Sequence, residues 1–140
     1  MSATERYRLH HIELDALFDR VHHSLHNTAG ESWARDLTRL LAEFTSRLST
    51  HLSVEDHTLY PTLLAAGDRN LATMATRYQN EMGDLYKSYM EFWQRWRTSG
   101  ALHREIDRFL PEARQIFARL RARIEREDRE LYPLADQVLG

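Results

Sequence analysis

The stretch His51-Leu52-Ser53-Val54-Glu55-Asp56-His57-Thr58-Leu59-Tyr60-Pro61 returns in outline as Arg123-Ile124-Glu125-Arg126-Glu127-Asp128-Arg129-Glu130-Leu131-Tyr132-Pro133. Glu55-Asp56 falls on Glu127-Asp128, and Leu59-Tyr60-Pro61 falls on Leu131-Tyr132-Pro133. The same offset places Leu48 on Leu120 and Phe44 on Ile116. Each copy closes a long run with helical periodicity. Leu37, Leu40, Leu41, Phe44, Leu48 and Leu59 share one face of the first run, and Phe109, Ile116, Leu120, Leu131 and Leu134 share one face of the second. A nearly equal offset carries His11, Leu14 and Phe18 onto Met82, Leu85 and Tyr89. The chain therefore reads as a helical hairpin written twice, a repeat much longer than a solenoid unit.

Gly30, Gly67, Gly100 and Gly140 fall between or after these runs, where a helix stop favours a residue tolerant of positive φ. The expected helices are 4–26, 32–66, 68–97 and 101–139, with Ser32 and Asp68 as N-caps. Short loops force the helices to fold back on one another. The expected fold is all-α, an up-down-up-down four-helix bundle of two repeated hairpins, in one domain over residues 1–140. Pro61 and Pro133 lie inside helical patterns and should bend their helices. Pro111 has no counterpart in the first copy and marks a second place for the last helix to begin properly, after a separate turn over residues 101–110.

Composition narrows the chemistry. The 140 residues carry 19 basic and 21 acidic side chains, a formal net charge of −2, so no overall attraction to nucleic acid or anionic membrane is expected. With no cysteine, thiolate metal sites, disulfides and cysteine nucleophiles are excluded. No apolar run approaches a membrane span and no signal-peptide core is visible, so a cytoplasmic location is expected. Dense alternation of charge between Arg119 and Glu130 reads as a solvated helix face. The compositional oddity is eight histidines, seven of them before residue 58.

Some polar residues lie where the core should be. Glu55 projects near the middle of its apolar stripe with His51 one turn earlier, and Glu127 and Arg123 take the equivalent places in the second copy. An ionised carboxylate in a dry core is costly unless paired or bound to a cation. His51 and Glu55 can reach one metal ion from a single helix face. In antiparallel hairpins His11 lies beside His51, and Glu127 reaches the same layer, so two histidines and two carboxylates converge from three helices. The metal-free alternative is a hydrogen-bonded His51–Glu55 core pair with Glu127 paired to Arg123. His10 projects nearer the centre of the first helix's stripe, whereas the repeat register favours His11 as the ligand. His22 sits roughly 16 Å along the axis from His11, too far to serve the same ion. His22 with His26 reads as an exposed helix end, and His57 and His103 take no role. Tyr78 and Tyr86 flank Met82 by one turn each way, as phenolate candidates or as aromatic packing, and Trp93 and Trp96 read as core.

On His11-x-x-Leu14, His51-x-x-x-Glu55-Asp56-x-x-Leu59-Tyr60-Pro61 and Glu127-Asp128-x-x-Leu131-Tyr132-Pro133, the sequence resembles the hemerythrin-like family of HHE cation-binding domains over essentially its whole length. The resemblance implies a four-helix bundle around a non-haem di-iron centre. In that family one iron takes histidines from the first two helices, the other takes histidines from the last two, and carboxylates from the second and fourth bridge them. His11, His51, Glu55 and Glu127 match this pattern.

The departure falls on the second iron, whose expected histidines are replaced by Met82 and Arg123. A thioether is a poor ligand for a hard oxygen and nitrogen site, and guanidinium stays protonated. Arg123 is expected to aim its fork at the bridging carboxylates and stand in for the second ion. The expectation is a half-site holding one iron, with binding or sensing of O2, NO or peroxide, or iron handling, as its role. The alternative is a metal-free bundle that serves as an interaction or oligomerisation module. No catalytic turnover is expected, since no nucleophile elbow or phosphate loop is present, and the sequence names no protein partner.

Overall fold

The structure, a computed structural model, describes residues 2–140, and the regular structure among them is helical throughout. Helix α1 spans Glu5–His26 and α2 spans Trp33–Val54; a π-helical turn over Glu55–Leu59 leads into α3, Tyr60–Leu64. Then come α4, Arg69–Trp96, α5, Ser99–Arg104, and α6, Ile106–Arg126. A second π turn over Glu127–Leu131 leads into α7, Tyr132–Leu139. Helix α1 packs on α2 and α6, and α4 packs on α3 and α6, which makes a helical bundle.

The ends of these helices follow local chemistry. Asp68 caps α4, its Oδ1 accepting the Leu71 N–H at 2.8 Å. Ser32 does not cap α2, because its hydroxyl donates instead to Asp36 Oδ2 at 2.9 Å. Gly67 has a φ of +80° and supports the left-handed turn between α3 and α4. Gly100 lies inside α5, whose cap is Thr98, two residues before the expected break. The last long helix begins at Ile106, five residues before Pro111, which is carried inside α6.

Both proline sites depart from a simple bend. Pro61 offers no N–H to the His57 carbonyl, and its ring would crowd that oxygen in an α-turn. The chain opens by one residue instead, with Tyr60 N–H donating to Glu55 C=O, and Tyr132 N–H does the same to Glu127 C=O before Pro133. The extra residue changes the register after each turn. Leu59 with Tyr60, and Leu131 with Tyr132, are all buried where each π turn meets the following helix.

Two apolar clusters form the core. The larger one holds an aromatic centre in which Phe44 lies 4.9 Å from both Phe18 and Phe117, centroid to centroid, and Tyr89 lies 5.7 Å from Phe117. The smaller one gathers Tyr7, Leu59, Tyr60, Leu63, Leu71, Tyr78, Leu131 and Tyr132. Along α1, Tyr7 belongs to the smaller cluster and Leu14 to the larger, with His11 between; Glu127 lies likewise between Ile124 and Leu131. The buried polar layer thus separates the two cores.

Replacing Phe44 by Ala removes a fully buried ring from the aromatic centre. Denaturant unfolding is expected to show a loss of about 3–5 kcal/mol.

Candidate metal centre

Each side chain of the polar layer is set by its helix. His51 and Glu55 lie one turn apart across the start of the first π turn, with His51 Nε2 2.9 Å from Glu55 Oε1. His11 comes from α1 and Glu127 from the start of the second π turn, with His11 Nε2 3.4 Å from Glu127 Oε1. The two imidazoles meet at 3.0 Å, Nε2 to Nε2. One ligand atom from each of the four residues lies within 4.8 Å of the others, and all four residues are buried.

The outer atoms of these groups are held by a shell of hydrogen bonds. Tyr60 OH donates to Glu127 Oε2 at 2.7 Å, and Tyr132 OH donates to Glu55 Oε2 at 2.8 Å. The tyrosine of each copy therefore holds the glutamate of the other. Asp128 accepts from His11 Nδ1 at 2.9 Å, and the His11 ring stacks on Tyr132. Only the inward atoms stay free: Glu55 Oε1 and Glu127 Oε1 are buried without a hydrogen-bond partner, although imidazole nitrogens stand nearby. Two orphaned carboxylate oxygens facing two imidazole nitrogens form a donor set for one cation, of the two-histidine and carboxylate kind that suits iron and other first-row ions.

The electrostatics also call for positive charge. Burial pushes the Glu55 carboxyl well above the usual range, and the neighbouring Glu127 pushes it further. Glu127 is held low, because His11, Tyr60 and Arg123 outweigh the cost of its burial. His11 is lowered by burial but carried up to about 9 by Asp128 and Glu127. Burial and the charge of His11 bring His51 down to about 4. One carboxylate is thus compensated by His11 and Arg123, while the other is left to a proton or a cation.

Among the described residues the second half of the layer has no comparable donor set. Met82 is buried in the larger apolar cluster. Arg123 does not aim its fork at the glutamates. Its Nη2 donates to the Tyr78 carbonyl at 2.7 Å, its guanidinium carbon lies 3.8 Å above the Tyr78 ring, and its Nε lies 3.5 Å from Glu81 Oε2. The outer oxygen of Glu127 is already taken by Tyr60, so Arg123 reaches that carboxylate only through space. Asp56, the repeat partner of Asp128, is left with Gln79, which donates to it at 3.2 Å. It lines a cavity of about 450 Å³ together with Leu52, Tyr60, Met82 and Tyr86.

Tyr60, Tyr132 and Asp128 take part in the site without having been singled out in sequence. The available signal was their recurrence in both copies, the tyrosines directly before a proline and the aspartate directly after a glutamate. Tyr78 serves Arg123, and Tyr86 lines the cavity beside Met82. His22, His26, His57 and His103 are exposed, and Trp96 is fully buried while Trp93 is only partly so.

A bundle of helices with a buried cluster of two histidines and two glutamates is an arrangement that could hold a cation. The chain belongs to the hemerythrin HHE cation-binding domain family, whose model matches residues 2–135. Comparison with curated proteins and comparison with solved structures each give no match.

Tyr132→Phe leaves Glu55 Oε2 buried without its donor. In protein kept metal-free with a chelator, unfolding is expected to show a loss of about 1–3 kcal/mol.

Proposed function

We propose that this chain is a one-metal member of its family, an iron protein in which His11, His51, Glu55 and Glu127 hold a single ion. The single observation that carries this reading is the pair of orphaned glutamate oxygens converging with two imidazole nitrogens in one buried layer. Bound iron would supply redox chemistry and affinity for small ligands, which fits binding or sensing of O2, NO or peroxide, or iron handling. The arrangement we infer is an up-down-up-down four-helix bundle of two hairpins in one domain, placed in the cytoplasm. No helix among the described residues is long and apolar enough to cross a membrane.

The residues divide the work. Tyr60 and Tyr132 fix the outer carboxylate oxygens and so aim the inner ones at the ion. Asp128 orients His11 and raises its basicity, as an outer carboxylate does for a metal-binding histidine. Arg123 contributes fixed positive charge near Glu127 on the side where the family places its second ion. The di-iron form of reversible oxygen binding needs two irons to share electrons, and Met82 and Arg123 leave that half without ligands.

Elemental analysis of untagged protein is expected to find about one metal ion per chain, lost in His51→Ala and in Glu127→Ala. Two ions with an oxo-bridge absorption would overturn the one-metal reading. No uptake under any reconstitution would favour the metal-free interaction module.

Met82→His with Arg123→His is expected to raise the stoichiometry towards two, because these are the positions that the repeat aligns with His11 and His51, and Asp56, the repeat partner of Asp128, lines the same cavity as Met82. A folded double variant with unchanged stoichiometry would refute the alignment of the two hairpins.

A further inference from the structure

His10 has no part in the ligand set, yet among the described residues it is the only side chain hydrogen-bonded to the outer nitrogen of His51. His10 Nδ1 lies 3.2 Å from His51 Nδ1, with the two rings nearly perpendicular at 85°. A neutral imidazole that binds a metal through Nε2 carries its proton on Nδ1. A neighbour that accepts at Nδ1 selects this tautomer. A neighbour that donates there selects the other one, whose Nε2 is blocked by a proton. For His11 the selecting neighbour is the Asp128 carboxylate, which can only accept. Among the described residues no carboxylate is hydrogen-bonded to His51 Nδ1, and His10 occupies that place.

We infer that His10 is a positioning residue for the metal, its Nδ1 accepting the His51 Nδ1–H and so keeping the His51 Nε2 lone pair turned towards His11, Glu55 and Glu127. This inference rests on the metal-binding reading. It also requires His10 to carry its own proton on Nε2. Packing keeps the ring in place, with Tyr7 edge-on at 6.5 Å between centroids. The two ligand histidines are thus backed differently, one by an anion and the other by a neutral ring.

The test uses zinc(II) alone, titrated into the metal-free full chain against a chelating indicator, together with 15N spectra of the imidazoles in the zinc-loaded protein. His10→Phe keeps a ring but removes the acceptor, and its zinc affinity is expected to fall about 10–100-fold, with the His51 Nδ1–H signal broadened by exchange with water. His10→Gln restores an acceptor oxygen and is expected to recover much of the affinity. In the wild type, His51 is expected as the Nδ1–H form and His10 as the Nε2–H form, a readout that does not depend on any variant folding. If His10→Phe binds zinc as tightly as the wild type, or if wild-type His10 carries its proton on Nδ1, the inference is overturned while the metal centre stands. If the wild type takes up no zinc, the metal-centre reading falls and this inference falls with it.

Discussion

Two glutamates, each 1% exposed, share one layer in the middle of this bundle. Burying one carboxylate in a helical core is costly, and burying two side by side is worse, because each raises the cost of ionising the other. Most of what surrounds them answers that problem. Two buried tyrosines donate to the outer oxygens, His11 and Arg123 supply positive charge, and the remaining oxygens converge on a point where a cation would complete the balance.

The π turns connect this electrostatic layer to the chain. Each π turn starts at a glutamate of the layer and ends just before the tyrosine that donates to the glutamate of the opposite copy. The proline that follows makes an ordinary α-turn unfavourable, so the backbone device and the hydrogen bond come from one local sequence. Because the segment occurs twice, each tyrosine crosses to the other copy's carboxylate. The two halves of the repeat are thereby tied together at the site itself.

The halves have diverged in what they do with the same scaffold. Asp128 holds a histidine, whereas Asp56 stands beside a cavity and a methionine. Arg123 has turned to the Tyr78 ring and carbonyl. The carbonyl contact and the Tyr78 face hold the guanidinium there, while its Nε and Nη1 stay without hydrogen-bond partners, and the outer oxygen of Glu127 is already taken by Tyr60. The expected fork onto the glutamates fails for that reason, although its charge is still felt there.

Periodicity in the sequence was sufficient for the helical class and for the inward placement of His51, Glu55 and Glu127, while the choice of His11 over His10 rested on the register of the repeat. Those features depend on spacing along one helix or on apolar contrast, both written locally. The break at Glu105 and the inclusion of Gly100 in α5 were not legible, because the Thr98 cap and surrounding packing outweighed the preferences of glycine and proline. The directions of Arg123, His10, Tyr60 and Tyr132 were likewise decided only by tertiary structure. A side chain's spacing fixes which face it leaves from, but its hydrogen-bond partner is chosen among groups brought from distant helices.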